Sequence, residues 1–277
     1  MDGQHFGPAA RSCLLVSLLQ IQNASLAFGE RTLWSELSLS VEPGEFVALI
    51  GANGSGKSML LKTIIGSHQL TGGSISFFGE PAGKNNHLLG YVPQHRASDQ
   101  GLPLLVKDAV RFGLDGHKFG FTGERKAAEK VAAALAEVDA TDLADKRVGS
   151  LSGGEMQRVR VAQAIISQPK LLLADEPLSA LDLNHQQRIS ELINEQRKRL
   201  DSAVIFVAHD LNPIIDYVDR VIYLAQGKHS IGTTDEVMRS DVLSKLYGTE
   251  IDVVRNQGRI VVLGAHDHQH HDEEEWK

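Results

Sequence analysis

The amino-acid sequence predicts an α/β fold built around a mostly parallel central sheet. Three observations carry that prediction. Apolar runs at 46–50, 171–174 and 204–208 have the length and composition of strands buried on both faces. Helical periodicity separates them, as strand–helix–strand units require. A glycine-rich loop follows the first run and precedes a helix, while two carboxylates close the second.

The elements follow in order. Leu19 and Ile21 alternate with polar residues, and so do Leu37, Leu39 and Val41, which predicts half-buried strands at the start. Gly29-Glu30-Arg31 supplies the turn between them, and Glu42-Pro43-Gly44 a second turn before the strand at 46–50. A helix over 57–65 is closed by Gly66. Thr71-Gly72-Gly73 introduces a strand at 74–78. From about residue 99 the pattern turns helical. Ala127, Val131, Ala134, Leu135 and Val138 share one face, with Glu129 and Lys130 off it. A helix over 155–167 stops before Pro169, and Ile189, Leu192, Ile193 and Leu200 mark an amphipathic helix. Asn256-Gln257-Gly258 joins apolar runs at 251–254 and 259–263 as a hairpin. The expected division is a leader (1–17), a main domain (18–248) and a hairpin extension (249–264). A His- and acid-rich tail (265–277) ends the chain. Within the main domain an N-terminal antiparallel β-subdomain is expected, with a helical insertion at about 99–160.

Bulk properties narrow the function. The 277 residues carry a formal net charge of -7, which argues against a nucleic-acid partner held by phosphate contacts. A single cysteine, Cys13, excludes an internal disulfide and fits a reducing compartment. No apolar stretch reaches the roughly 20 residues that span a bilayer, so any membrane role runs through a partner.

The segment Gly51-Ala52-Asn53-Gly54-Ser55-Gly56-Lys57-Ser58 matches the P-loop pattern, with a strand before it and a helix after. Its glycines let backbone N–H groups turn toward phosphate oxygens without Cβ clashes, and the helix start adds positive potential. Lys57 is the candidate for neutralising β- and γ-phosphates and Ser58 for ligating Mg²⁺, with Met59 following in the first turn. Leu171-Leu172-Leu173-Ala174-Asp175-Glu176 ends an apolar strand in two acids at the sheet's C-terminal edge. Strand alternation points successive side chains apart. Asp175 is therefore read as a Mg²⁺ ligand and Glu176 as the group that orients or deprotonates the attacking water.

Leu151-Ser152-Gly153-Gly154-Glu155 has capping-box spacing for the helix behind it. It also closely resembles the signature of ABC ATPases, and the rest of that family's pattern occurs in order. Gln94, after Tyr91-Val92-Pro93, matches the Q-loop, which supplies a Mg²⁺ ligand and helps position the water. Ser179-Ala180-Leu181-Asp182 matches the D-loop and His209 the switch histidine, while Phe28 sits where the family stacks an aromatic ring on adenine. The resemblance implies an ATP- and Mg²⁺-dependent ATPase. In it Gly51, Asn53, Gly54, Ser55, Gly56, Lys57 and Ser58 hold phosphate. Ser152, Gly153, Gly154 and Asp182 complete the site of a second copy in a head-to-tail dimer.

Around Gln94 and over 101–108 the chain is similar to ATPases of the zinc and manganese importer family. That similarity implies an integral-membrane permease, an extracytoplasmic solute-binding protein and a position on the cytoplasmic face of the inner or plasma membrane. A divalent metal cargo is implied, with an iron chelate, haem or a soluble assembly or repair complex as alternatives. The region 113–126 departs from that family. In the tail, His266, His268, His270 and His271 lie beside Asp267 and Asp272, a donor set that suits Zn²⁺, or a solvated segment without function.

Overall fold

A computed structural model describes residues 17–94, 103–115 and 124–264. Residues 1–16 of the leader, 95–102 in the stretch likened to the importer family, 116–123 of the 113–126 region and the tail from residue 265 lie outside the described residues, whereas Ser17 is described and buried.

Two sheets and a hairpin organise the chain. Strands β1 (Leu19–Phe28) and β2 (Arg31–Val41) pair antiparallel, and β4 (Gly72–Phe77) and β5 (Glu80–Pro81) extend them in the order β2-β1-β4-β5. The central sheet holds β3 (Phe46–Gly51), β6 (Leu89–Val92), β7 (Leu171–Asp175), β8 (Ala203–Val207), β9 (Arg220–Ala225) and β10 (Lys228–Gly232). Its order is β10-β9-β3-β8-β7-β6, parallel throughout except for β10 at one edge. This is a mostly parallel P-loop sheet with an antiparallel partner, as the apolar runs predicted.

Alternation along the central strands splits the core in two. Phe46, Ala48 and Ile50 face one cluster together with Leu172, Ala174, Val204 and Phe206. Val47 and Leu49 face the other with Leu171, Leu173, Ile205 and Val207. The second cluster lies between the two sheets and includes α1 (Lys57–Ile65) and fully buried Trp34. The first is covered by helices α2 (Val106–Asp115), α3 (Glu124–Glu137), α4 (Gly153–Ile165) and α5 (Leu183–Leu200). Burying strands on both faces removes the polar alternation of an edge sheet, which is why these runs read as continuous apolar segments.

Boundaries move by a residue or two where backbone geometry decides them. β4 stops at Phe77, because Phe78 turns to φ 51 and is exposed. Strand β8 runs one residue earlier than the 204–208 run. Helix α4 starts at Gly153 rather than 155, since Ser152 is its N-cap, and ends at Ile165. After α6 (Thr234–Val237) and α7 (Ser240–Tyr247), strands β11 (Ile251–Asn256) and β12 (Arg259–Gly264) form a separate two-stranded sheet.

Candidate active site

The loop from β3 to α1 is shaped by its glycines. Gly51 sits at φ 148, and a Cβ there would lie 2.1 Å from the Leu224 carbonyl oxygen. Gly56 sits at φ 96, where a Cβ would lie 2.9 Å from Trp34 Nε1. Neither position admits a side chain. Arg31 Nη2 donates to the Gly54 carbonyl at 3.0 Å, tying the turn beyond Phe28 to the loop. Lys57 is buried, and its Nζ donates to the carbonyls of Gly51 (2.8 Å) and Ala52 (3.1 Å). Burial lowers its pKa, while the nearby Glu176 and Asp175 carboxylates oppose that shift. The Ser55 hydroxyl is buried without a protein partner, and α1 begins without a side-chain cap or an acidic residue in its first turn. An unpartnered hydroxyl, uncapped amides and a buried ammonium fit a phosphate-bearing ligand.

The two acids have different partners, and the geometry that separates them is not the strand alternation expected from the sequence. Strand β7 ends on Asp175. Glu176 lies one residue beyond it in the left-handed region at φ 53, so strand alternation does not set its direction. Its N–H donates to the Val207 carbonyl at 3.2 Å, and the Ser179 N–H and hydroxyl donate back to its carbonyl at 3.1 and 2.9 Å. Asp175 is buried and accepts from the Ser58 hydroxyl at 3.0 Å. Burial raises its pKa, with the Ser58 hydrogen bond opposing and Glu176 reinforcing. Two hard oxygen donors side by side in a partly desolvated site fit Mg²⁺.

Three segments meet at Glu176. Gln94 Nε2 donates to its Oε2 at 2.8 Å, and His209 Nε2 lies 2.7 Å from its Oε1. Gln94 therefore touches Glu176, while its side chain lines the same cleft of about 490 Å³ as Ser58 and Asp175.

The other predicted residues lie elsewhere. Ser152 and Glu155 form a reciprocal capping box, with Ser152 N donating to Glu155 Oε2 at 2.8 Å and Glu155 N to Ser152 Oγ at 3.3 Å. The Ser152 N–H and then its hydroxyl, together with Lys146, lower the Glu155 carboxyl pKa to about 2. Gly153 and Gly154 lie against Ala180 and Leu181 of their own chain rather than against the P-loop. Asp182 caps α5, accepting from His185 N at 2.9 Å and contacting His185 Nδ1 at 2.8 Å. Phe28 is 47% exposed at the end of β1, its ring 5.3 Å from that of His68. Met59 packs its side chain on the core between the sheets. Asn53 is exposed at the tip of the loop. Arg31 and Trp34 shape the P-loop without a sequence signal, because their contacts cross from a different sheet.

A strand–loop–helix phosphate cradle beside a buried Asp and a doubly held Glu defines a P-loop nucleoside triphosphatase. The sequence matches the ABC transporter family over residues 34–179, more than half of the chain, and the chain belongs to that family. Its fold is similar to an ABC transporter described as of metal-chelate type in an inward-facing conformation. The two are 26% identical with a TM-score of 0.74, over 89% of this chain and 96% of the other. It is similar to the ATP-binding cassette MJ0796, a dimer in a post-hydrolysis state bound to ADP and Pi. Identity there is 25% and the TM-score 0.70, over 78% of this chain and 98% of that one. It also resembles cbiO1 of Clostridium perfringens, part of the transporter complex cbiONQ. That match has 26% identity and a TM-score of 0.69, over 83% of this chain and 93% of the other. The chain binds and hydrolyses ATP as the ATPase of a transporter.

Proposed function

We propose that the chain is the ATP-hydrolysing subunit of a membrane importer, acting as a head-to-tail homodimer with a divalent metal such as zinc or manganese as cargo. One observation carries the catalytic part: Gln94, Glu176 and His209 converge at one point beside the P-loop. Lys57 neutralises the β- and γ-phosphates, and Gly51, Asn53, Gly54, Ser55, Gly56 and Met59 contribute the cradle. Ser58 and Asp175, with Gln94, would hold Mg²⁺, which would supply positive charge to the phosphate oxygens. Glu176 orients the attacking water and takes up its proton, and His209 donates a hydrogen bond to the γ-phosphate. Phe28 stacks on the adenine. Ser152, Gly153, Gly154 and Asp182 serve the γ-phosphate of a second copy, a reading supported by their separation from their own P-loop.

No helix among the described residues is long and apolar enough to cross a membrane. The importer reading adds a permease, with the chain on its cytoplasmic face. An importer also calls for an extracytoplasmic solute-binding protein. The solved metal-chelate type transporter favours a metal chelate as the second reading of the cargo. His266, His268, His270 and His271 add a weak Zn²⁺ site in the tail, tested by zinc binding before and after truncation beyond Ala265.

The deciding experiment isolates the full chain from detergent-solubilised membranes. A polytopic membrane protein is expected with it, and recovery with soluble partners alone overturns the importer reading. In cells lacking the chain, uptake of zinc or manganese should fall while uptake of a ferric chelate persists. The opposite pattern assigns the chelate.

A further inference from the structure

The hairpin β11–β12 is fastened to the molecule along both of its edges. On the β11 edge, Ile251 N donates to Ser244 Oγ at 2.9 Å and Val253 N to Ser240 Oγ at 2.9 Å. Arg255, further along, pairs with Asp235 at 2.5 Å and donates to the carbonyls of Thr234 and Met238. The β12 edge meets one side chain. Asn212 Nδ2 donates to the Ile260 carbonyl at 2.9 Å, and Ile260 N donates to Asn212 Oδ1 at 2.8 Å. The Asn212 amide thus pairs with Ile260 as a neighbouring strand would, presenting one donor and one acceptor. Ile260 and Ile251 carry this contact into the core that also holds Leu211 and Ile214.

Asn212 stands three residues after His209. The intervening Asp210 accepts from both Asn212 N (2.9 Å) and Asn212 Nδ2 (2.6 Å), so the segment is folded onto the same amide. Along this route the hairpin is bonded to Asn212, Asn212 to Asp210, and the chain leads directly to the imidazole that meets Glu176 at 2.7 Å. Residue 209 itself lies outside strand β8, which ends at Val207. Its ring is half-exposed and is not fixed by burial.

We propose that the C-terminal hairpin is a strut for the active site, and that Asn212 is the positioning residue through which it sets His209 against Glu176. The strut joins α6 and α7 to the loop that carries the imidazole, so a load on the hairpin reaches ATP turnover without touching nucleotide. Only an amide completes the contact: alanine removes both bonds, and aspartate sets a carboxylate against the Ile260 carbonyl and the Asp210 carboxylate. The proposal rests on the reading of His209 as a catalytic group.

The test is a double-mutant cycle on the full chain, measuring kcat and KM for ATP. Asn212→Ala should lower kcat about fivefold or more with the KM for ATP within about twofold, and Asn212→Asp should lower kcat at least as far. In a His209→Ala background the added Asn212→Ala should change kcat by less than about twofold, because its route of action is already gone. Wild-type turnover by Asn212→Ala overturns the strut whatever His209 does. An equal drop in both backgrounds overturns it too, because Asn212 then acts elsewhere. Wild-type turnover by His209→Ala instead removes the catalytic reading of His209, and the strut with it. Thermal melting of each variant separates these outcomes from a general loss of folding.

Discussion

Glu176 is held from two sides by groups on two other segments, and its backbone sits where an L-residue rests at a cost of order 1–3 kcal/mol. The hydrogen bonds from Ser179 and to Val207 maintain that turn, so the carboxylate is aimed by backbone rather than by a rotamer alone. Replacement by glutamine keeps length and hydrogen bonding but removes the base. We expect Glu176→Gln to bind ATP with near wild-type affinity and to lose roughly 10²-fold or more of its turnover. Nucleotide binding and phosphate release measured on one preparation check this, and turnover near wild type would move the base elsewhere. The acid was legible in the sequence as a candidate, because an apolar strand ends in two carboxylates beside a P-loop. Its conformation was not. Strand alternation predicted the divergence of Asp175 and Glu176, whereas the structure ends the strand at Asp175 and turns Glu176 by a positive φ. That turn depends on Val207, which lies far along the chain.

At the scale of elements, α4 shows how a local rule and a functional motif share residues. Ser152 and Glu155 close the helix N-terminus on themselves, and Glu155 also meets Lys146 at 3.2 Å. The Glu155 carboxyl is held at about 2, against an ordinary value of 4.5, by the Ser152 N–H and hydroxyl and then by Lys146. A depressed acid contributes stability that is complete above the unfolded value and is lost as pH falls toward the folded one. Glu155→Gln keeps the reach of the capping box and loses only the charge, so it should cost up to about 1 kcal/mol at neutral pH, the upper end for an acid near a helix N-terminus. For a chain of this size that is a fall in Tm of up to about 2–4 °C. The gap between variant and wild type should narrow as pH drops from about 4.5 toward about 2, because the wild type then loses its own advantage. A gap independent of pH across that window would mean that the carboxylate contributes packing and not charge. The Ser-x-x-Glu spacing made this cap legible from sequence. The Asn212–Ile260 contact was not, since it joins residues 48 apart with no periodic signature.

For the whole molecule, the two cores place the candidate catalytic groups at the C-terminal ends of the central strands, while the signature-like segment lies on the helical side. Lys57 emerges where β3 hands over to α1, and Asp175 where β7 ends. Ser152 instead heads α4, whose first glycines rest on Ala180 and Leu181. The proposed head-to-tail arrangement assigns those two halves to different chains. The parallel sheet and its phosphate loop could be read from short-range pattern, whereas the proposed second copy rests on where the fold carries two motifs far apart in sequence. That second copy is testable with two inactive chains. A Lys57→Ala chain has lost its own P-loop cation but keeps its signature. A Ser152→Arg chain keeps its P-loop but blocks its signature. In a heterodimer one composite site joins both lesions, and the other joins the intact P-loop of the second chain to the intact signature of the first. Each variant alone should hydrolyse ATP at background rate. An equal mixture, if the chains pair at random and the sites fire independently, should recover up to about one quarter of wild-type activity. Heterodimers are verified by two different affinity tags. Background activity in a preparation where both tags co-purify, with ATP still bound by the Ser152→Arg chain, would count against the head-to-tail arrangement.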